Sequence, residues 1–341
     1  MFRNLGQRSP AYRWSLFIII FGGGLMLIVA VTALLVVGTL SSGERSQPVS
    51  LTAGITVREF AVLPDSDSYP AAVALAPDGT VYTGSYATGA LWAINEAGEI
   101  TEIPGTRDAI GAVTGLAVAP DGTVYIVDQA DADPRTSGGD VKRLLPDGTI
   151  SVFAVIDDER GFVAPDDVAL DSAGNIYVSD RGRDEVWRFA PDGSGAVWWV
   201  PPALENAEQY EPTGLTFDPT HDALLVTDGL NDVIYRVAAA DGATEVLYSH
   251  NQRPNAPGFD GLTLGPDGAI YVAALGQKGI ARLESDGTLT YIAGLFRGPS
   301  DVDFSAPNRL IVTNFDSYSL AVKLAQPSLP FTLDAVEWDA N

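Results

Sequence analysis

Thr114-Gly115-Leu116-Ala117-Val118-Ala119-Pro120-Asp121-Gly122-Thr123-Val124-Tyr125-Ile126-Val127 decides the fold. A run of small and apolar residues meets Pro-Asp-Gly and continues as a β-branched and aromatic run. Asp-Gly supplies the positive φ that a tight hairpin needs, so the stretch reads as two antiparallel strands. The pattern recurs. First strands of the same kind stand at 71–75, 166–170, 213–217, 260–264 and 300–304, and successive copies are 43, 52, 47, 47 and 40 residues apart. A second turn, as in Pro146-Asp147-Gly148, Pro191-Asp192-Gly193, Asp241-Gly242 and Asp286-Gly287, joins a third strand to a fourth. Four strands per copy, at a period of 40 to 50 residues, are the mark of a propeller blade. The expectation is an all-β, six-bladed β-propeller over residues 54–325, with 326–341 as a tail of no assigned role. The sixth copy lacks a strand after 318–324, whereas 55–62 resembles the fourth strand 149–155. The early strand is therefore expected to complete the last blade, which protects the sheet edges.

Ahead of the propeller lies an apolar segment. No residue from Trp14 to Leu40 is charged, and residues 15–38 as a helix would span about 36 Å, enough to cross a bilayer. Arg3, Arg8 and Arg13 precede it and Glu44 and Arg45 follow it, so the positive-inside bias puts residues 1–13 in the cytoplasm. The expected order is a cytoplasmic end (1–13), one transmembrane helix (14–40), a flexible linker (41–53) and an extracytoplasmic propeller at the cell membrane.

Charge and composition exclude several functions. Beyond Gly43 there are 17 basic against 44 acidic residues, a formal −27. Such a surface repels phosphate backbones, so nucleic acid is not an expected partner, and cations are the natural ligands. The absence of Cys removes disulfides, thiolate metal sites and cysteine nucleophiles. Two histidines, His221 and His250, leave little for a histidine metal site.

In a propeller the loops that enter first strands share one face with the loops that join second to third strands, and the Asp-Gly turns lie opposite. Asp78, Asp121, Asp147, Asp192, Asp267 and Asp286 are accordingly turn residues. The long segments 129–140, 156–166, 201–213 and 249–260 fall on the other face, where function usually lives. At their inner ends stand Asp166, Asp167, Asp260 and Asp301, with Asp303 deeper along its strand. Carboxylates around one axis repel one another unless a cation or shared protons compensate, so a hard cation with oxygen ligands suits the place. For Asp167 and Asp301 a second reading stands beside that one: each accepts backbone hydrogen bonds at a strand start. Asp260 reads as functional, because Gly261 leaves room for the backbone. Asp128, Asp180 and Asp228 end second strands and read as fixing the following turn. His250 and Arg253 lie on a loop towards the channel and are candidates to orient a substrate.

Pro165-Asp166-Asp167-Val168-Ala169-Leu170-Asp171, followed by Gly174-Asn175-Ile176-Tyr177-Val178-Ser179-Asp180, and Pro257-Gly258-Phe259-Asp260-Gly261-Leu262 resemble the SMP-30/gluconolactonase/LRE-like propellers, which are kin to strictosidine-synthase-like and NHL-repeat chains. The resemblance covers about residues 54–325. It implies calcium or another divalent cation near the channel, held by a Glu opening the first blade, an Asn opening each of the third and fourth, and an Asp opening the fifth. Those positions fall on Ala71, Asp166, Thr213 and Asp260, with Asp301 as the residue that would fill the gap left by Ala71. The implied activity is opening of a lactone or related ester, with Asp260 as base and the metal polarising the carbonyl. Two functions follow from the sequence: a membrane-tethered, metal-assisted hydrolase, or a non-catalytic NHL-like propeller that binds a small-molecule or surface ligand, a peptide or a glycan.

Overall fold

The computed structural model describes residues 14–15, 21–40, 47–133, 135–205, 207–250, 255–322 and 326–339. The chain forms two compact units, residues 1–44 with 318–328 and residues 45–317 with 329–341. The first contains helix α1 (Gly23–Leu40), 18 residues without a charge. Those 18 residues give about 27 Å of helix, less than a hydrocarbon core of about 30 Å. Among the described residues no helix is long and apolar enough to cross a membrane. Residues 1–13, 16–20 and 41–46, on which part of the expected anchor and linker falls, lie outside the described residues.

The second unit opens with β1 (Val49–Ser50) and β2 (Ile55–Val62). Blade one is β3 (Pro70–Leu75), β4 (Val81–Ser85), β5 (Leu91–Ile94) and β6 (Ile100–Glu102). Blade two is β7 (Ala112–Val118), β8 (Val124–Gln129), β9 (Gly139–Leu144) and β10 (Ile150–Ala154). Blade three is β11 (Pro165–Leu170), β12 (Ile176–Asp180), β13 (Glu185–Phe189) and β14 (Gly195–Trp199). Blade four is β15 (Pro212–Asp218), β16 (Ala223–Asp228), β17 (Val233–Ala238) and β18 (Thr244–Ser249). Blade five is β19 (Phe259–Leu264), β20 (Ile270–Ala274), β21 (Gly279–Leu283) and β22 (Leu289–Gly294). Blade six is β23 (Val302–Ala306), β24 (Arg309–Thr313), β25 (Thr332–Trp338) and, from the start of the unit, β2. The first strands pack against one another in a closed ring.

Closure by the early strand is as expected, but its partner is not. The third strand of blade six is β25, paired to β2 from Ile55↔Trp338 to Val62↔Thr332 and to β24 on its other side. Residues 317–321 are a helical turn, so the strand expected at 318–324 is corrected to 332–338 and the propeller extends beyond residue 325. The linker is corrected too: β1 pairs with β22 and adds a fifth strand to the outer edge of blade five.

Core residues lie between blades rather than in one central mass. Tyr177, Val186 and Trp199 of blade three pack on Leu224, Val226 and Tyr235 of blade four, and Ala273 and Ile280 of blade five pack on Leu310, Val312 and Val336 of blade six. Each Val, Leu or Ile among them contributes about 1.5–3 kcal/mol when buried. Where the chain ends meet, Tyr69 of blade one lies against Phe331, ring centroids 4.6 Å apart. The turns behave as read. In all six named turns the aspartate Oδ1 accepts the amide two residues on, at 2.9–3.2 Å, and the glycine after it has a φ between 81° and 89°.

Candidate functional site at the channel mouth

The residues that open first strands sit on β-bulges. In blade three the register jumps from Pro165↔Asp180 to Val168↔Val178, in blade four from Pro212↔Asp228 to Leu215↔Val226, and in blade five from Phe259↔Ala274 to Leu262↔Val272. A bulge re-aims side chains. Here its two residues take different duties. The second faces the neighbouring blade: a Cβ on Gly214 would lie 2.7 Å from the Cα of Gly261, and one on Gly261 would meet Asp301. Asp167, the second bulge residue of blade three, accepts the amides of Val168 (2.8 Å) and of Leu215 in blade four (2.7 Å).

The first bulge residues, Asp166 and Asp260, meet Arg181 and Glu211. Arg181 follows β12, its amide is held by the carbonyl of Ala164 at 3.1 Å, and its Nε lies 3.4 Å from Asp166 Oδ1. Asp260 and Glu211 also act electrostatically on its guanidinium. Burial pushes the Asp260 carboxyl well above the usual carboxylate range, and Asp166 pushes it further while Arg181 opposes. Asp166 and Glu211 are also raised by burial, against the pull of Arg181. Tyr86 acts electrostatically with Arg181 and Asp166, and Gln129 and Phe315 stand against it, all three at or just beyond the end of a second strand. Tyr86 and Phe315 meet edge to face at 5.2 Å, and Gln129 Nε2 donates to the Tyr86 hydroxyl at 3.1 Å. Gln129 is 1% exposed, and its Oε1, like Arg181 Nε, is buried with no hydrogen-bond partner. Below the mouth the channel holds a cavity of about 290 Å³, lined by Val73, Leu116, Leu215 and Leu262 together with Asp167 and Asp303.

Of the described residues expected from sequence, Asp166 and Asp260 come together, and Thr213, Asp301 and His250 make their contacts elsewhere. Thr213 Oγ1 is bonded to Thr227 Oγ1 at 2.9 Å. Asp301 accepts the amides of Val73 and Val302, each at 2.8 Å, which selects the backbone reading. Asp303 does the same for Leu75 and Phe304. His250 lies at the rim of blade four, with Nδ1 3.2 Å from the Tyr248 hydroxyl and its amide on the Asp232 carbonyl. Arg253 lies outside the described residues. Asp128, Asp180 and Asp228 hold the backbone that enters each first strand, through Gly111 and Ala112, Val163 and Ala164, and Glu211 respectively.

The residues present do not fit the divalent ion that the family resemblance implies. Ala71 has no donor, Thr213 and Asp301 are committed to the framework, and a guanidinium occupies the neighbourhood of the two remaining carboxylates. Among the described residues no three His, Cys, Asp or Glu side chains are arranged to hold a metal. Arg181, Glu211, Tyr86 and Gln129 are the site residues that sequence reading missed. Their common signal is position, at strand ends on the loop-rich face.

Six sheets closed around a channel whose mouth gathers carboxylates and an arginine define the class: a six-bladed β-propeller with a polar site on its loop face. Within it, residues 204–314, from the approach to blade four through the second strand of blade six, match the SMP-30/Gluconolactonase/LRE-like region. The matched stretch includes Glu211 and Asp260. No curated protein matches by sequence. Similar solved structures include a gluconolactonase of Xanthomonas campestris (18% identity, TM-score 0.61, 86% of this chain and 96% of that one). Virginiamycin B lyase of Staphylococcus aureus is similar at 17% identity and TM-score 0.58, over 83% of this chain and 99% of that one. The PQQ-bound aldose sugar dehydrogenase of Streptomyces coelicolor is similar at 15% and 0.57, over 84% and 99%. At such identities the likeness is one of fold.

Proposed function

We propose that this chain is a membrane-anchored, extracytoplasmic propeller that opens a small lactone or related ester at its channel mouth. One observation carries the reading: Asp260, whose carboxyl is driven towards its protonated form, neighbours Asp166, whose carboxylate is paired with Arg181. Two buried carboxyl groups in one pocket, one of them paired with an arginine, are the ingredients of acid–base catalysis. Kinship with the SMP-30/gluconolactonase/LRE-like region supports the substrate class.

In this mechanism Asp166 takes a proton from water as the water oxygen bonds to the carbonyl carbon. Arg181 stabilises the oxyanion of the tetrahedral intermediate. Asp260 gives its proton to the ring oxygen as the carbon–oxygen bond breaks, leaving a hydroxy acid, and the proton on Asp166 returns to Asp260 through solvent. Gln129 Oε1 is placed to accept a substrate hydroxyl, and Tyr86 and Phe315 offer an aromatic edge to its carbon skeleton. The uncharged stretch 14–40, preceded by three arginines, supports an anchor with a cytoplasmic amino end. A second reading, a non-catalytic propeller that binds a ligand, peptide or glycan, is favoured by the absence of a donor at Ala71 and the commitment of the Thr213 hydroxyl to Thr227.

The test is turnover of a panel of γ- and δ-lactones and aryl esters by the full chain, with and without chelator. Turnover indifferent to chelator, and lower by roughly a hundredfold or more in Asp260→Asn at unchanged Tm, is the expected result. Saturable binding of panel members without turnover would instead favour the second reading.

A further inference from the structure

Asp166, Glu211 and Asp260 are contributed by three consecutive blades, and each lies at the start of a first strand. Carboxylates brought together in this way need a compensating positive charge. The chain supplies one. Arg181 leaves β12 on the loop to β13, and its backbone is fixed by the bond to Ala164. The preceding Asp180 reinforces this by accepting the amides of Val163, Ala164 and Gly182 at 2.8–3.0 Å. The guanidinium is thereby aimed at Asp166, with Asp260 and Glu211 near enough to act on its charge. Its Nε is buried and makes no hydrogen bond. A divalent ion taken up by the same carboxylates would have to share their space with this charge and would be repelled by it.

We propose that the guanidinium of Arg181 takes the place of a divalent ion, as the internal cation around which Asp166, Glu211 and Asp260 assemble, so that this channel mouth operates without bound metal. The inference concerns charge balance and holds whether or not the chain opens lactones. It also accounts for the loss of ligands at Ala71 and Thr213, since a site with its own cation has no use for them.

The test is calorimetric titration of the full chain in mild detergent with calcium and with manganese, with thermal melting of every variant alongside. Wild type and Arg181→Lys should show no saturable uptake. Arg181→Ala should take up one divalent ion per chain, at least roughly tenfold tighter than the weakest binding the titration can detect, and Arg181→Ala/Asp260→Asn should lose that uptake. Arg181→Ala should also melt lower than wild type, with part of the loss restored by adding Asp260→Asn. Arg181→Gln, of similar shape and no charge, replaces Arg181→Ala in both readouts if the alanine variant does not fold. Uptake of one ion by wild type as tight as that of the uncharged variants would overturn the proposal. So would uncharged variants that gain neither metal uptake nor rescue by Asp260→Asn.

Discussion

Asp301 is 9% exposed and spends both of its oxygens on backbone, Oδ1 on Val302 in its own strand and Oδ2 on Val73 in blade one. Asp303 repeats the device two residues on, with Leu75 and Phe304, and accepts the Thr263 hydroxyl as well. The seam between blades six and one, where the two ends of the propeller meet, therefore carries two carboxylate staples on its first strands, and Asp167 spans blades three and four in the same way. Asp301→Ala leaves two buried amides without acceptors, and a loss of about 2–4 kcal/mol is expected from urea unfolding. Asp301→Asn, which keeps one acceptor oxygen, should lose less. Equal stability of Asp301→Ala and wild type would show that the seam does not depend on the staple. The same residues show what sequence could tell about the site. Asp166 and Asp260 were legible as channel carboxylates because each opens a repeat. The duty of Asp167 and Asp301 was not, because it turns on which residue of a bulge faces the mouth, and a shift of one residue reverses the answer. Arg181 carried no signal of its own, since an arginine beyond a strand end is ordinary until the fold brings Asp166 and Asp260 to it.

At the scale of elements, β25 is the strand on which closure depends, because it alone bonds to both β2 and β24. Glu337 adds an ion pair to Arg58 of β2 and another to Arg309 of β24, both 2.7–2.8 Å, but partly exposed pairs contribute about 1 kcal/mol or less. The main contribution comes from Leu333, Ala335 and Val336, fully buried between blades. A chain ended at Ser328 leaves β2 and β24 with open edges and is expected to show no cooperative melting and rapid proteolysis. One ended at Trp338 should melt within about 2 °C of wild type, since surface changes rarely exceed about 0.5 kcal/mol. A cooperative melt of the shorter chain would mean that the ring closes by other contacts. The six-fold repeat and early-strand closure were legible because Asp-Gly turns punctuate them. The closing strand was not: residues 318–324 and 332–338 are both short apolar runs, and periodicity alone does not choose between them. Pairing with β2 does.

At the scale of the whole molecule the charge balance sets the response to pH and salt. Burial raises the carboxyl of Asp167 to about 7 and that of Asp303 to about 6. Each group binds its proton more tightly folded than unfolded, so its contribution to stability is fully present below pH 4 and is lost as pH rises through about 6 for Asp303 and about 7 for Asp167. The turn aspartates work the other way. Backbone amides hold Asp78, Asp121, Asp147 and Asp286 below the usual carboxylate range, and the Ser194 hydroxyl together with its amide does so for Asp192, so their contribution is present above the unfolded pKa near 4 and is lost in stronger acid. The net charge of −24 adds self-repulsion, which also eases as pH falls. Stability should therefore peak near pH 5 and decline towards pH 8. Salt separates the causes, because 1 M NaCl shortens the screening length to about 3 Å and suppresses repulsion between surface charges while leaving the cost of burying a carboxylate in place. Melting curves from pH 4 to 8 at low and high salt should thus show a smaller decline at high salt, and Asp303→Asn should shrink what persists. If high salt abolished the decline altogether, surface repulsion would be its whole cause, and the buried aspartates of the channel would titrate like those at the surface.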